Sequence, residues 1–395
     1  MSYLKKLLKG VEIEWKPLGH EENGVAELSR GRVMSKEYLV ENAGKYPVYS
    51  SQTANNGEIG KITSFDYDGE FITWTTDGAN AGTVFHRTGK FSITNVCGLI
   101  KVKDIKELNY KFLFYWLSIE AKKHVYSGMG NPKLMSNQMA KIPIPVPALS
   151  IQKEIVRILD NFTELTAELT AELTARKKQY TFYKEQLFSF NEVEVEKEPL
   201  GVIGEFQRGK RFVKDDMIAE GVPCIHYGEM YTYYGTWTNK SKSFLSEELV
   251  EKKNLRVAEN GDVVIVSAGE TIEDIGMGTA WLSNEGVVIH DACFSYRSPL
   301  NPKYVAYFTR TKQFHDQIKK NISSGKISAI NARGLEKALI PVPSPKEQER
   351  IVTILDKFDI LTTSISEGLP KEIELRKKQY EYYRDLLLTF SKHEN

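Results

Sequence analysis

The sequence predicts an α+β protein in which two mixed α/β domains are held apart by two long helices. Three observations predict this fold class: the length of 395 residues, a long segment that occurs twice, and two diverged stretches with strand and helix patterns. A chain of this length exceeds one ordinary hydrophobic core and fits two domains with connecting elements.

Composition excludes several classes of protein. No apolar run approaches the roughly 20 residues that a membrane helix needs, so we expect a cytoplasmic protein without a membrane partner. Cys97, Cys224 and Cys293 are too few and too far apart for a disulfide framework or a paired-cysteine metal site. The 53 Lys and Arg residues balance 52 Asp and Glu residues, so no global positive field would drive DNA binding. DNA binding would therefore rest on local basic patches or on partner proteins.

The repeated segment has three motifs in a matching order. They are a Pro-x-Pro strand, an Ile-Val-x-Ile-Leu-Asp stretch and an Arg-Lys-Lys-Gln-Tyr stretch. The first copy has them at 142–147, 155–160 and 176–180, and the second at 339–343, 351–356 and 376–380. A shorter match links 11–19 with 193–201. The chain is therefore two units, each a variable domain followed by a constant helix.

Both copies predict long helices, because apolar residues recur at three- and four-residue spacing. The first apolar stripe is Ile155, Leu159, Phe162, Leu165, Leu169 and Leu173, and the second is Ile351, Leu355, Phe358 and Leu361. About 40 residues of helix would be roughly 60 Å long, more than one small domain can bury, so we expect the two stripes to pack on each other. The alternative is that each helix packs on its own domain. Leu369-Pro370 predicts a kink or restart, because proline removes an interior hydrogen bond.

The first helix contains a tetrapeptide repeat, Thr166-Ala-Glu-Leu169 followed by Thr170-Ala-Glu-Leu173. One more unit would lengthen the helix by about 6 Å and rotate its face by only about 40°, so the apolar stripe would survive. The repeat therefore predicts a spacer of adjustable length. A generic coiled-coil stretch is the alternative.

The variable stretches 20–141 and 202–338 share an order of elements rather than a sequence. Strand-like runs are Tyr46–Ser50, Glu70–Thr75 and Phe91–Val102 in the first, and Asp262–Ser267 and Val287–Tyr296 in the second. A helix follows in each, capped by Asn109 or by Asn301. A glycine loop with a lysine comes next, at 127–133 and at 323–326. The two domains are therefore expected to be homologous but diverged.

Loops of both domains carry polar, basic and aromatic side chains that suit base edges and phosphates. The candidates for DNA binding in the first domain are Ser51, Gln52, Asn55, Asn56, Lys61, Thr76, Asn80 and Lys133. Those in the second domain are Arg208, Lys210, Arg211, His226, Tyr227, Tyr231, Tyr233 and Lys326. The same side chains can equally be turn formers or an aromatic cluster. The glycine-loop lysines stand out because they recur in both copies.

The sequence gives no support for catalysis. The loop 323–328 lacks the upstream glycine of a phosphate loop, and Ile327 stands where that motif needs Ser or Thr. Asn131-Pro132 lacks the rest of an amino-methyltransferase motif, and the 7 histidines show no metal-ligand spacing. We predict no catalytic residue, no metal site and no cofactor in this chain.

Taken together, the three repeated motifs and the Thr-Ala-Glu-Leu repeats resemble the specificity subunit of type I restriction-modification enzymes. The similarity covers the whole chain and is closest to the branch whose first helix carries that tetrapeptide, a type IC-like pattern. The resemblance implies that the variable stretches are target recognition domains, which read the 5′ and 3′ halves of an interrupted DNA site. It also implies two antiparallel helices in a pseudo-twofold circular arrangement, which set the spacing and dock partners.

The resemblance further implies the domain boundaries and the partners. The segments are 1–19, which completes the constant region, 20–141, the first recognition domain, 142–201, the central constant region, 202–338, the second recognition domain, and 339–395, the last constant region. The implied partners are double-stranded DNA, two modification subunits with methyltransferase activity, and restriction subunits. S-adenosylmethionine, ATP and Mg²⁺ would belong to those subunits. A coiled-coil interaction scaffold and an antirestriction decoy remain as alternatives.

Overall fold

The computed structural model describes residues 10–19, 22–128, 130–191, 195–325, 327–364 and 366–390. The chain divides into two compact units: unit 1 is Met1–Glu168 with Ile373–Asn395, and unit 2 is Leu169–Glu372. Each unit therefore combines one variable domain with one part of each constant segment. The segments predicted from the sequence do not coincide with the compact units, because each constant helical segment contributes residues to both units.

Unit 1 contains a six-stranded sheet and a small two-stranded sheet. Its strands are β1 (Glu14–Pro17), β2 (Ala26–Arg30), β3 (Ala43–Tyr49), β4 (Glu58–Ile62), β5 (Tyr67–Thr75), β6 (Val84–Ile93), β7 (Cys97–Val102) and β8 (Pro143–Val146). Its helices are α1 (Lys36–Glu41), α2 (Tyr110–Glu120), α3 (Ser136–Met139) and the first part of α4 (Leu149–Leu187), with 3₁₀ turns at Ala54–Gly57 and Ala121–His124. The strand order is β2-β7-β5-β6-β3-β4, and β1 pairs with β8. Helix α2 packs its apolar face on β5 and β6.

Unit 2 follows the same plan with shorter strands. They are β9 (Lys197–Pro199), β10 (Glu205–Arg208), β11 (Val222–Ile225), β12 (Trp237–Thr238), β13 (Ser243–Leu245), β14 (Val257–Ala258), β15 (Val263–Val266), β16 (Ala268–Gly269), β17 (Gly278–Trp281), β18 (Val287–Ile289), β19 (Cys293–Arg297), β20 (Ser328–Ala329) and β21 (Leu339–Pro341). The helices are the second part of α4, α5 (Leu200–Ile203), α6 (Tyr227–Thr232), α7 (Glu247–Lys252), α8 (Pro302–Phe308), α9 (Lys312–Ile318), α10 (Ala332–Glu336), α11 (Pro345–Thr363) and the start of α12 (Gly368–Leu387), which belongs to unit 1 from Ile373 onward. The 3₁₀ turns are Lys214–Asp216, Ile272–Asp274 and Lys319–Asn321. The sheets run β10-β19-β15-β17-β12 and β13-β11-β18-β14, with the pairs β16-β20 and β21-β9.

Two runs predicted as single strands are each broken by a tight turn. The first becomes β6 and β7, because the Cys97 amide donates to the Thr94 carbonyl at 3.0 Å. The second becomes β18 and β19, because the Cys293 amide donates to the His290 carbonyl at 2.9 Å. Hydrophobic periodicity did not reveal these turns, because apolar residues continue on both sides of them.

The two predicted helix caps are present. The Asn109 side chain accepts from the Phe112 amide at 3.0 Å at the start of α2. The Asn301 side chain accepts from the Lys303 amide at 3.0 Å at the start of α8, where Pro302 occupies the first turn. Asparagine suits this position because its short side chain satisfies an amide that the helix leaves unpaired.

The long helices differ in continuity. Helix α4 is unbroken over 39 residues, about 60 Å, as the periodicity predicts. The second constant segment is divided into α11 and α12, with a break between Thr363 and Gly368. Pro370 lies in the first turn of α12, where its missing amide costs nothing, and this confirms the predicted restart. Among the described residues, no helix is long and apolar enough to cross a bilayer.

The apolar stripes pack in two ways, so both interpretations of the helices hold in part. In unit 1, Ile155 and Leu159 are fully buried in the domain core, whereas Phe162 stacks on Tyr383 of α12 with ring centroids 5.3 Å apart. In unit 2, Ile351 and Leu355 are fully buried in the domain core. There the Phe358 ring stacks on those of Tyr180 and Tyr183 of α4, at 6.0 and 5.7 Å. The first two residues of each stripe therefore anchor the helix in a domain core, and the phenylalanine that follows packs on the other long segment.

This packing corrects the expected docking role of the stripes. The four residues that open the stripes have no exposed surface to offer a partner protein, because they lie in the domain cores. Leu165, Leu169, Leu173 and Leu361 are half-buried. Partner docking by the helices would need other side chains.

In unit 1 a buried glutamine joins the domain to α4. The Gln152 side chain accepts from the Asn109 amide at 2.8 Å and donates to the Pro147 carbonyl at 2.8 Å. About two turns further along α4, the Asp160 carboxylate accepts from the Tyr115 hydroxyl at 2.7 Å. These bonds connect α2, the end of β8 and α4, so the helix has one orientation on its domain.

Unit 2 contains the same joint at equivalent positions. The Gln348 side chain accepts from the Asn301 amide at 2.9 Å and donates to the Pro343 carbonyl at 2.9 Å. The Asp356 carboxylate accepts from the Tyr307 hydroxyl at 2.7 Å. The joint is therefore part of the repeated design, although the domains that it holds have diverged.

Replacing Gln152 by leucine should destabilise unit 1, because a buried amide and a buried carbonyl would lose their partners. We expect the free energy of unfolding in urea to fall by about 1–3 kcal/mol. Gln348→Leu should do the same for unit 2, and the exposed Gln207→Leu serves as the control. An unfolding free energy of Gln152→Leu within about 0.5 kcal/mol of the wild type would contradict the role of this joint.

Candidate nucleic-acid interface

In unit 1 the loops that carry the predicted contact residues are tied together by their backbones. Four hydrogen bonds define what we call the loop framework: Thr94 N to Tyr49 O at 2.9 Å, Thr76 N to Val96 O at 3.2 Å, Leu134 N to Thr76 O at 2.8 Å, and Gly31 N to Cys97 O at 3.3 Å. They join the ends of β2, β3 and β5 to the turn before β7 and to the glycine loop. Loops from distant parts of the sequence thereby form one surface.

Unit 2 has the same framework with the same donors and acceptors. The equivalent bonds are His290 N to Ile225 O at 3.2 Å, Ser267 N to Ala292 O at 2.8 Å, Ile330 N to Ser267 O at 2.8 Å, and Gly209 N to Cys293 O at 3.0 Å. The parallel strand pairs agree, because Tyr49 is opposite Ile93 in unit 1 and Ile225 is opposite Ile289 in unit 2. The framework therefore equates positions that sequence comparison alone does not align.

A glycine is required at one point of each framework. A Cβ atom on Gly31 would overlap the carbonyl oxygen of Ile93, and one on Gly209 would overlap that of His290. Both glycines follow an arginine and precede a basic residue, in the pattern Glu-x-x-Arg-Gly-basic that starts at Glu27 and at Glu205. This short repeat was not among the motifs predicted above, although it aligns the two domains in the sequence.

In unit 1 most of the predicted contact residues lie on the framework loops. Gln52, Asn55 and Asn56 are exposed, and Ser51 is half-buried, in a loop closed by the Ser50 amide on the Gly57 carbonyl at 3.0 Å. Asn80 and Lys133 are exposed on the two other loops, which meet where the Gly78 amide donates to the Pro132 carbonyl at 3.0 Å. Lys61 is exposed on β4, apart from these loops.

Thr76 is a different case, because it is fully buried. Its hydroxyl donates to the Val96 carbonyl at 2.9 Å and accepts from the Arg30 guanidinium at 3.0 Å. This corrects its expected place on the contact surface: Thr76 supports the loops from below. Arg30 is exposed at this point and was not among the predicted contact residues.

Arg87 is a second supporting residue that the sequence did not indicate. Its guanidinium is buried, donates to the Asn56 carbonyl at 2.7 Å and to Thr73 at 3.2 Å, and lies 3.6 Å from the Tyr49 ring centroid. Burial lowers the pKa of this guanidinium. It holds the loop in which Asn55 and Asn56 adopt left-handed φ angles of 48° and 54°. Asparagine is one of the few non-glycine residues that accept this conformation.

In unit 2 the predicted residues form two groups. Arg208 and Arg211 are exposed and Lys210 is half-buried, where β10 leads into the framework. His226 and Tyr227 open α6, and the His226 ring lies 6.1 Å from that of Phe212, which follows the basic group. The basic group and the start of α6 are therefore neighbours.

The remaining predicted residues of unit 2 lie further along the chain. Tyr231 is half-buried and its hydroxyl donates to the Ala268 carbonyl at 3.4 Å. Tyr233 is exposed and lies 5.2 Å from the Lys242 ammonium. Lys326 lies outside the described residues. Within the described part of the chain, no group of three acidic, histidine or cysteine side chains is placed to hold a metal ion.

The family of the chain follows from comparison with known proteins. The family model described as the type I restriction modification DNA specificity domain matches residues 20–176 and again 192–375. The chain belongs to this family. It is 36% identical to the EcoR124I/EcoR124II specificity subunit of Escherichia coli, covering 100% of this chain and 98% of the relative. It is also 32% identical to a putative type I specificity subunit of Mycoplasma pneumoniae, covering 92% and 95%.

Solved structures share the fold of this specificity subunit. The crystal structure of the type I restriction-modification S subunit from M. genitalium matches with a TM-score of 0.57 and 18% identity, covering 99% of this chain and 100% of that one. The α+β class with two domains joined by a long helix is confirmed. Specificity subunits are non-catalytic and determine which DNA sequence their enzyme recognises, so the family confirms the predicted function and favours neither scaffold nor decoy.

Replacing Gly209 by alanine should disturb the second loop framework, because the new methyl group has no space beside the His290 carbonyl. We expect a loss of about 1–3 kcal/mol in unfolding free energy and a lower melting temperature in calorimetry. Gly235→Ala is the matched control in the same unit, because a Cβ there meets nothing within 4 Å. Equal melting temperatures for the two variants would contradict the steric requirement.

Proposed function

We propose that the two units read the two halves of an interrupted DNA sequence and that the constant helices fix the distance between the halves. One observation carries this proposal: the same loop framework is built twice and bears different side chains at equivalent positions. A shared framework presents both surfaces in the same way, whereas different side chains offer different donors and acceptors to the bases. The first domain, 20–141, would read the 5′ half and the second, 202–338, the 3′ half. The constant regions 1–19, 142–201 and 339–395 would support them.

The exposed and half-buried framework residues are the proposed contacts to DNA. In the first domain they are Ser51, Gln52, Asn55, Asn56, Asn80 and Lys133, and in the second Arg208, Lys210, Arg211 and Tyr227. His226, which is buried beside Tyr227, is a further proposed contact of the second domain. Amide side chains suit adenine edges, and arginine suits guanine edges or phosphates. Lys326 stays a candidate because its loop repeats that of Lys133.

We propose that partner subunits supply what this chain lacks. With 53 basic and 52 acidic residues it can displace few counterions from DNA by itself. Two modification subunits would enclose the DNA and bring S-adenosylmethionine, and restriction subunits would bring ATP and Mg²⁺ chemistry. The complex would act on DNA in the cytoplasm.

The helices offer an exposed aromatic side chain at the same position of each repeat for docking these partners. Phe182 and Tyr382 follow the two Arg-Lys-Lys-Gln-Tyr stretches at the same distance and are 59% and 63% exposed. Each lies beside a tyrosine that packs on the other helix, with ring centroids 5.5 and 5.3 Å apart. A surface that occurs once per unit fits two copies of one partner, and large exposed aromatic side chains are typical anchors of protein interfaces.

The function is tested by mapping adenine methylation at base resolution in cells with a compatible modification subunit, with and without this chain. A new bipartite motif that needs the chain is the expected result. A stable complex without any new motif would contradict the proposal and favour the decoy or the scaffold.

Adding one Thr-Ala-Glu-Leu unit after Leu173 should lengthen the gap between the half-sites without changing either half. The reason is that the helix grows by about 6 Å and its apolar stripe keeps nearly the same face. Methylation mapping of the variant gives the gap directly. An insertion of four alanines at the same place should widen the gap equally, because the length of the helix rather than its sequence sets the gap. An unchanged gap in both variants would contradict the spacer function.

Phe182→Ala and Tyr382→Ala should each weaken the binding of one modification subunit. We expect complexes with one copy fewer in native mass spectrometry for each single variant, and free chain for the double variant, because truncating an aromatic anchor typically costs about 2 kcal/mol or more. Val202→Ala, also exposed, is the control. Full complexes from the double variant would show that docking uses another surface.

A further inference from the structure

Unit 2 contains a cavity of about 470 Å³ within the surface proposed to face DNA. It lies where the basic group after β10 meets the start of α6 and the turn before β19. Its lining includes Arg211, Lys214, His226, Tyr227, Gly269 and His290. Three of these residues were already candidates for DNA contact. None of them has been given a ligand of its own.

His226 provides an unused hydrogen-bond donor in this cavity. The residue is only 5% exposed, and its Nδ1 atom accepts from the Gly228 amide at 3.2 Å. Burial lowers the pKa of this imidazole to about 4, and the charges of His290 and Lys214 act in the same direction. The ring is therefore neutral near pH 7, and its proton must lie on Nε2. Within the described part of the chain, Nε2 has no hydrogen-bond partner.

The wall beside this donor is aromatic. The ring centroid of His290 lies 4.6 Å from that of His226 and 5.2 Å from that of Tyr227. These rings are already in contact, so a planar ligand has no space between them and would lie against them. The cationic side chains of Arg211 and Lys214 line the same cavity.

The equivalent point of unit 1 shows that this is a variable position on a constant backbone. The loop framework equates Ser50 with His226 and Thr94 with His290. In unit 1 the two hydroxyl groups bond to each other at 2.8 Å. In unit 2 the same pair of positions instead carries two rings and a free donor. Residues that read different sequences are expected to vary at such points, while the framework that holds them does not.

We propose that the cavity binds one base of the DNA half-site read by unit 2, with the base against the aromatic wall and its acceptor on the Nε2 hydrogen of His226. This inference rests on the proposed function. The base must present an acceptor, such as a purine N7, guanine O6 or thymine O4, and cytosine offers only a donor at that edge. Arg211 and Lys214 bind the adjoining phosphates, which carry no sequence information. The base either stays paired in the duplex and presents its edge to the cavity, or is extruded from the base stack and enters the cavity.

His226→Asn tests the donor in the complex with modification subunits. Asparagine can still cap α6 through its side-chain oxygen but lacks the imidazole Nε2 donor. We expect base discrimination to fall about tenfold or more at one position of the second half-site, and to stay unchanged throughout the first. His315→Asn, a half-buried histidine elsewhere in unit 2, is the control. Unchanged preferences at every position with His226→Asn would overturn the proposal. A wild-type complex without a bipartite motif would instead contradict the proposed function.

A second measurement uses the wild-type complex and modified DNA, so it does not depend on the folding of a variant. Each position of the second half-site receives an analogue without one acceptor: 7-deazapurine for N7, 2-aminopurine for guanine O6, and 5-methyl-2-pyrimidinone for thymine O4. Weaker binding at one position supports the base site. A rise in 2-aminopurine fluorescence there assigns a base outside the stack, and no rise assigns an edge within the duplex. Full affinity with every analogue would overturn the proposal.

Discussion

The structure depends on the joint between each domain and its long helix, because a recognition surface has a defined position only if the domain cannot turn on its support. A buried glutamine makes this joint specific, since its amide has partners in only one arrangement. Gln152 bonds to the cap of α2 and to the residue after β8, and Gln348 repeats this pattern in unit 2. Apolar packing adds stability around each joint, but polar bonds fix its geometry.

Support comes from the backbone, whereas recognition is proposed to come from the side chains. The loop framework consists of amide and carbonyl groups, which are the same in every sequence, so the side chains above it are free to differ. This explains how Ser50 with Thr94 and His226 with His290 occupy equal positions in domains that have little sequence in common. The two exceptions are Gly31 and Gly209, where the framework itself excludes a side chain.

The repeated parts of the fold were predictable from the sequence, and the site was predictable only in outline. Helix α4, the caps of α2 and α8, and the restart before Pro370 follow from local patterns, which act over a few residues. The turns that divide β6 from β7 and β18 from β19 do not, because their hydrogen bonds leave no mark in hydrophobic periodicity. Thr76 and Arg87 were unpredictable as supports, since their burial results from contacts between loops far apart in the chain.

The core of unit 1 is completed by residues of the segment Ile373–Asn395, which is synthesised after the rest of the unit. Helix α2 of unit 1 is synthesised long before α12, whose Leu387 is buried in the same core cluster as Phe112. At ribosomal speeds the roughly 200 intervening residues take about 10–40 s. During that time the apolar face that α12 will cover is exposed on the nascent chain. Unit 2 has all its parts in one continuous stretch and can close first. The domain that is translated first is therefore the one that finishes folding last.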